Sequence, residues 1–256
     1  MDRSDFPRTG SIDCDLTVLI DVDSTNSYLR NHTGDPHRVA VAVTDNQTSG
    51  RGRQGRVWSQ PAGSGLAMSI RLPDSHNTTW LSAFPLLVGG VVVDVIGRET
   101  GLVASVKWPN DVWVSGKKVA GVLCEVTDAG VIAGIGINLR YPEESLPTPQ
   151  STSLHLHTEV GQSLPDRLVH GVVTGLIDAV DQLGQGALPT LVRQVAEKTV
   201  TIGQSVRVEF PDRSYREGTA TGIGRDGSLE LLWTDGTTGV VIAGDVWHLT
   251  PLIERP

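Results

Sequence analysis

Cysteine is scarce in this chain. Cys14 and Cys124 are the only two in 256 residues, and they share no motif spacing. Two isolated thiols provide neither a disulfide framework nor a Cys-x-x-Cys metal or redox motif, so a reducing cytoplasm is the expected compartment. Long hydrophobic runs are missing too. The longest candidate, Leu86 to Ile96, contains two glycines and an aspartate, whereas a membrane span needs about 20 apolar residues. The opening MDRSDFPRTGSIDCD has no apolar core of a secretion signal. Basic charge is in deficit, with 21 Lys and Arg against 29 Asp and Glu and a net charge of -8. That balance argues against a general nucleic-acid binder, which needs a basic footprint. What remains, at 39% hydrophobic and 20% charged residues, is an ordinary globular composition able to bury a sizeable core.

Against this acidic background one segment stands out, Gly50-Arg-Gly-Arg-Gln-Gly-Arg56. Gly50, Gly52 and Gly55 match G-x-G-x-x-G, but that dinucleotide pattern has meaning only between a strand and a helix. The strand side is available in Val39–Val43, whereas the following residues carry Pro61, Gly63 and Gly65 and form no helix. The segment therefore reads as a loop whose glycines let backbone N–H groups approach a ligand. Arg51, Arg53 and Arg56 add planar donors suited to carboxylates and phosphates. In an extended loop Arg51 and Arg53 point the same way, so they are expected to share a ligand.

Two further segments carry chemistry. Lys107-Trp-Pro-Asn-Asp111 ends an apolar strand on polar groups that need partners. Trp-Pro is expected to be extended, and a plain Lys107–Asp111 ion pair is the bland reading. Lys118 opens the next strand, and alternation places it with Ala120, Val122 and Cys124. In Gly134-Ile-Gly-Ile-Asn-Leu139, Gly134, Gly136 and Asn138 share one strand face, stripped of side chains as though a ligand lies against it. His155 and His157 have no acidic or cysteine partner at ligand spacing and read as surface residues.

The coarse organisation follows from periodicity and turn signals. Ser24 or Thr25 caps a helix; Gly65–Leu72 is a strand; Leu81–Thr100 is an apolar helix with Pro85 near its start. Lys118–Val126 and Val131–Leu139 form a hairpin. Helices follow at Asp166–Leu183, capped at Ser163, and at Leu188–Lys198. From Val200 onward alternation and Asp-Gly turns indicate a small all-β unit. The expected class is α+β, with a mixed, largely antiparallel sheet and flanking helices.

Ser24-Thr-Asn26, Gln47, GRGRQGR, KWPND, Lys118-Val-Ala-Gly121 and GIGIN, in this order and spacing, closely resemble the biotin–protein ligases over about residues 18 to 140. The tail is similar to that family's C-terminal SH3-like domain at Asp226-Gly-Ser-Leu229 and Gly244-Asp-Val246. The resemblance implies a catalytic domain over 1–199, of a fold like that of class II aminoacyl-tRNA synthetases, and an SH3-like β-barrel over 200–256. It implies a reaction in which biotin and ATP give biotinyl-AMP and pyrophosphate. The biotinyl group then passes to a lysine of a carboxylase's biotin carboxyl carrier domain. The arginines acquire a reason, because a carboxylate must meet an α-phosphate and both are anions.

Carried over from the family, Ser24, Thr25, Asn26, Gln47, Arg51, Gly52, Arg53, Lys118, Gly134 and Gly136 would bind biotin. Arg51, Arg53, Arg56, Trp58, Asn110, Lys118 and Asn138 would bind the nucleotide. Arg53 and Lys118 would be catalytic by charge, and Asp111 by orienting or deprotonating the acceptor lysine. Mg²⁺ is expected with ATP, with no protein ligand assigned. Neither nucleic acid nor membrane is an expected partner, and no feature separates monomer from homodimer. About twenty residues precede Ser24, too few for the winged-helix domain of repressor members, so a ligase without operator binding is expected. Gln54 stands where many relatives have a basic residue. Tyr141 to Gln150 lacks a tryptophan found over adenine in some relatives, which leaves Trp58 as a candidate. Two rival readings are a lipoate–protein ligase on the same fold and a non-catalytic biotin or nucleotide sensor.

Overall fold

The structure, a computed structural model, describes residues 1–32, 34–73, 79–210, 212–242 and 244–249; the end of the expected C-terminal unit, 250–256, lies outside these. Its first sheet uses β1 (Asp15–Val18), β2 (Ala40–Thr44), β3 (Gly65–Leu72), β4 (Ala104–Lys107), β5 (Asp111–Val114), β6 (Lys117–Thr127) and β7 (Gly130–Asn138). They run in the order β1-β2-β3-β7-β6-β5-β4. Only β1 and β2 are parallel, and every other neighbouring pair is antiparallel. The expected mixed, largely antiparallel sheet with flanking helices is what the chain forms.

Alternation along β2 sorts the two faces. Val41 and Val43 join the main core, while Ala40 and Ala42 pack with Leu29 and Ile132 on the other side. The core side is covered by α2 (Phe84–Thr100), packed on β4, β5 and β6, and by α3 (Leu164–Gly184), packed on β3. The short α4 (Leu188–Ala196) packs against α2 and α3. Helix α2 starts at Phe84 instead of Leu81, because Pro85, lacking an N–H, fits only in the first turn. The opposite face carries α1 (Thr25–Asn31), capped by Ser24, whose Oγ accepts from the Ser27 N–H. Arg71 of β3, almost fully buried, donates to the His32 and Asp35 carbonyls beyond the end of α1 and pins that helix to the sheet. Among the described residues no helix is long and apolar enough to cross a membrane.

A second, antiparallel sheet of five strands follows: β8 (Ser205–Glu209), β9 (Tyr215–Ile223), β10 (Leu229–Trp233), β11 (Thr238–Val241) and β12 (Asp245–His248), ordered β11-β10-β9-β8-β12. It docks on the turn between β4 and β5. Val106 exchanges backbone hydrogen bonds with Lys198 and Val200, and the Trp108 N–H donates to Thr201 Oγ1. Trp108 itself is 1% exposed, and its indole N–H donates to the Gly227 carbonyl at 2.9 Å. The extended stretch expected at Trp108-Pro109 is thus a tight turn, with a cis Trp108–Pro109 peptide, whose tryptophan serves as the peg between the two sheets.

Trp108→Phe keeps most of the ring packing but strands a buried carbonyl. Losing the bond and leaving its acceptor unsatisfied is expected to cost about 1–3 kcal/mol, which urea unfolding would measure. Unchanged stability would show that the indole bond contributes nothing to docking.

Candidate active site

A cavity of about 580 Å³ opens on the α1 side of the large sheet, between the Gly/Arg loop, the β4–β5 turn and β12. One end of it is built from neutral polar groups. Ser69, the one hydroxyl within β3, is fully buried, and its Oγ lies 2.7 Å from Thr25 Oγ1 and 2.6 Å from Asn26 Oδ1. The Thr25 N–H and hydroxyl both donate to Gln47 Oε1. Asn26 Nδ2 donates to the Leu123 carbonyl and to Glu125 Oε2. Every group here is held by another, so the end of the pocket is rigid before anything binds.

Gly134 and Gly136 face the pocket as read from alternation, and the bare face has a concrete cause. A Cβ at Gly134 would lie 2.1 Å from Asn26 Oδ1, and one at Gly136 would lie 2.4 Å from the Trp58 indole. The glycines admit two protein side chains, and any ring-shaped ligand must sit against those as well as the strand. Asn138, on the same face, is anchored by donation to the Thr152 carbonyl.

The other end is cationic. The Gly/Arg loop closes on itself, the Gly52 N–H bonding to the Arg56 carbonyl and the Trp58 N–H to that of Gly50. No helix follows it, in keeping with the rejected dinucleotide reading. Arg51 and Arg53 both line the cavity but take different protein partners. Arg51 reaches Ser27 Oγ at 3.2 Å and Glu125 at 3.3 Å. Arg53 donates to Asn110 Oδ1 and to the Gly244 carbonyl, both at 3.2 Å. Arg56 is ion-paired with Asp245 of β12. The strand bridge Arg51–Val57 bends the loop between these two arginines, which removes the simple extended geometry.

Lys118 also departs from simple alternation. Opposite it, β5 pairs Val112 with Ala120 but Trp113 with Lys118, so Val119 is an extra residue, a β-bulge. The bulge places Lys118 over Gly121, on the pocket face, while Val119 and Ala120 both enter the core. Its ammonium pairs with Asp111 at 2.6 Å and sits 5.6 Å from the Trp58 ring centroid. The ion pair is therefore Lys118–Asp111, and Lys107 is left to stack over Trp113 and Trp247.

Burial, and then repulsion from Arg56, pulls the Arg53 guanidinium below its usual range. Lys107 is lowered by burial first and by Lys118 and Arg56 next, with Asp111 opposing. His248, half-buried beside Lys107, is pushed down to about 4 by that burial and then by the Lys107 charge. Among the described residues no three His, Cys, Asp or Glu side chains cluster as a metal cage. His155 and His157 bond to Ser153 and Thr152 instead.

The sequence reading missed Glu125, Ser69, Asp245, Trp247 and His248. Ser69 was findable as a lone hydroxyl in an apolar strand. Glu125 was hidden because unbroken alternation through the bulge assigns it the wrong face. The β12 residues reach the pocket only through docking of the second sheet, which no local pattern encodes.

Residues 18–141 match the Biotin/lipoate A/B protein ligase family and residues 201–249 match the Biotin protein ligase C terminal domain. The chain is 34% identical over 248 residues to the Biotin--[acetyl-CoA-carboxylase] ligase of Mycobacterium tuberculosis, covering 91% of this chain and 89% of that protein. It is 28% identical to the Bifunctional ligase/repressor BirA of Escherichia coli, covering 90% of this chain and 73% of that one. Among solved structures, the biotin protein ligase from Aquifex aeolicus in complex with biotin and ATP superposes with a TM-score of 0.77 at 27% identity, covering 91% of this chain and 97% of that one.

The His248 shift gives a pH dependence. Its pKa of about 4 in the folded chain lies below the unfolded value of 6.5. The unfolded chain therefore binds the extra proton first, and this contribution to stability is complete above pH 6.5 and is lost as pH falls toward 4. Discounted for partial solvation, it amounts to about 1–2 kcal/mol. Chemical denaturation across that range should show a shallower stability–pH slope for His248→Gln than for wild type, and identical slopes would refute the assignment.

Proposed function

The chain belongs to the biotin protein ligases, and from that premise we propose how its pocket carries out ATP-dependent ligation of biotin to protein. One observation carries the reading: a rigid neutral end and a cationic end share a single cavity. The neutral end supplies hydroxyls and amides for the ureido group of biotin, which has two N–H donors and one carbonyl acceptor. The cationic end receives the valeryl carboxylate and the α-phosphate of ATP. Arg53 and Lys118 reduce their mutual repulsion and stabilise charge on the phosphoryl oxygens as the carboxylate oxygen attacks phosphorus and pyrophosphate leaves.

Trp58 lies over the glycine face beside Lys118 and is proposed to border both the biotin ring and adenine, with Asn110 and Asn138 as polar contacts to the nucleotide. Mg²⁺ would arrive with the ATP phosphates. Among the described residues no protein cage awaits it, and Asp111 and Asp245, the pocket carboxylates, already hold Lys118 and Arg56. When bound, the ion supplies neutralisation of phosphate charge.

The Lys118–Asp111 pair links the two half-reactions. Once Lys118 turns to the substrate anions, Asp111 loses its partner and can accept a proton from the incoming lysine. That amine, with an ordinary pKa near 10.4, cannot attack the acyl adenylate until the proton leaves. The acceptor is proposed to be the biotin carboxyl carrier domain of a carboxylase. Residues 1–199 would form the catalytic unit and 200–256 a C-terminal unit that closes it.

The direct test is pyrophosphate release with MgATP, comparing biotin with lipoate: release with biotin alone is expected, and release with lipoate alone would overturn the choice of substrate. Lys118→Ala should abolish adenylate formation in a folded protein, and near-normal pyrophosphate release would remove Lys118 from the chemistry. Asp111→Asn should still form biotinyl-AMP but transfer it about 10²-fold more slowly if proton removal limits the step. Equal transfer rates would exclude Asp111 as the proton acceptor.

A further inference from the structure

Five cationic side chains, Arg51, Arg53, Arg56, Lys107 and Lys118, line the pocket. The acid that faces the first of them is bonded to both ends of the cavity. Glu125 of β6 has a side chain only 18% exposed. Its Oε2 accepts from Arg51 at 3.3 Å, at the cationic end, and from Asn26 Nδ2 at 2.7 Å, at the neutral end. Its Oε1 pairs with Arg30. Asn26 and Arg30 are four residues apart on α1 and therefore lie on one face of that helix. One carboxylate thus clamps the helix that carries Ser24, Thr25 and Asn26 to the sheet.

We propose that Glu125 is a positioning residue for ligand recognition: by fixing which way the Asn26 amide points, it sets the pattern of donors and acceptors that the neutral end offers to a ureido ring. The proposal rests on the ligase reading and deepens it. The amide lies across three strands. Ser69 of β3, Gly134 of β7 and Leu123 of β6 are in register, and Asn26 sits over the middle one, where a Cβ would meet its oxygen. Toward β3, Oδ1 lies 2.6 Å from the Ser69 hydroxyl; toward β6, Nδ2 meets the Leu123 carbonyl at 3.3 Å and Glu125. An asparagine amide keeps nearly the same shape after a half-turn, so packing alone does not select an orientation. Ser69 does not select one either, since a hydroxyl can give to the oxygen or accept from the nitrogen. A carboxylate ion-paired to two arginines only accepts, and the turned amide would set oxygen against oxygen in a buried site. The Leu123 carbonyl favours the same orientation, but being uncharged and more distant it is the weaker hold. In the orientation held, the amide N–H groups are directed to β6. The oxygen faces the end of the pocket, with one lone pair for Ser69 and one for a ligand N–H. The turned amide would present donors there, against the N–H donors of the ureido group.

Glu125→Gln keeps the shape of the side chain and removes its charge. It should weaken biotin binding, read as Kd by calorimetry, about 10-fold, the difference between a charged and a neutral hydrogen bond. Desthiobiotin, which has the same ureido group, should lose by the same factor. The kcat and the KM for ATP at saturating biotin should move by no more than about threefold, because the exposed Arg51 pair is weak. Added to Asn26→Ala, the substitution should have no further effect, since no amide is left to orient. Arg30→Met, which releases the carboxylate from outside the cavity, should weaken biotin binding in the same direction by less. A second readout needs no ligand. In nitrogen–proton NMR spectra of the unliganded protein, the Asn26 side-chain N–H signals should shift and exchange faster in Glu125→Gln than in wild type. An unchanged Kd for biotin in a folded Glu125→Gln protein would overturn the proposal. Losses that add in the double variant would also overturn it, since they would mark Glu125 as a general support of the fold. A wild-type protein that binds no biotin, while its Asn26 signals respond as stated, would overturn the ligase reading and leave the orientation of the amide by Glu125 standing.

Discussion

Gathering five cations around one cavity is opposed by their own repulsion. Two unit charges about 4 Å apart interact by about 4 kcal/mol at the effective dielectric of about 20 typical near a protein surface. The surroundings of the pocket are organised to contain that repulsion. Glu125 comes from β6, Asp111 from β5 and Asp245 from β12, each answering a cation carried by another element. The chain's net charge of -8 is no obstacle to an anion-binding site, because part of that acidity stands directly behind the arginines and lysines. These pairs are half-exposed and individually weak, so a substrate carboxylate or phosphate can take a carboxylate's place without a large penalty.

The two ends of the cavity are built on different principles. Around Ser69, Thr25, Asn26 and Gln47 the hydrogen bonds are short, buried and interlocked with a central strand. The cationic end hangs on a glycine loop, a hairpin turn and a strand of the second sheet, and long side chains join them. Shape is fixed where a neutral ring must be recognised, and adjustment is concentrated where charge is rearranged. Docking of the second sheet through Trp108 decides whether the cationic end assembles, since Gly244, Asp245, Trp247 and His248 all arrive with it.

Much of this was legible in the chain. Hydrophobic alternation placed β3 and the β6–β7 hairpin within a residue or two, Pro85 marked the first turn of α2, and the bare face of Gly134 and Gly136 does line the pocket. The clustering of Ser24-Thr-Asn26, the arginine loop, Asn110, Asp111 and Lys118 around one cavity is also as read. Most of the failures share one origin. Pairings such as Asp111 with Lys118, Arg56 with Asp245 and Arg51 with Glu125 depend on where distant backbones approach, and local spacing carries no information about that. Trp-Pro was misread because a residue before proline is biased toward extended backbone only on average, and here tertiary docking prevails.

The bulge at Val119 carries a further implication. In an even strand, the side of the sheet on which a residue emerges is a matter of parity, and one inserted residue inverts it from that point on. Lys118 and Gly121 share the pocket face only because Val119 is supernumerary. The same residues drawn into an even strand, with no bulge to absorb Val119, would keep every pocket residue downstream yet would turn the ammonium toward the apolar layer under α2. In this architecture the reactive charge is placed by a counting irregularity in the backbone, and residue identity alone would not put it there.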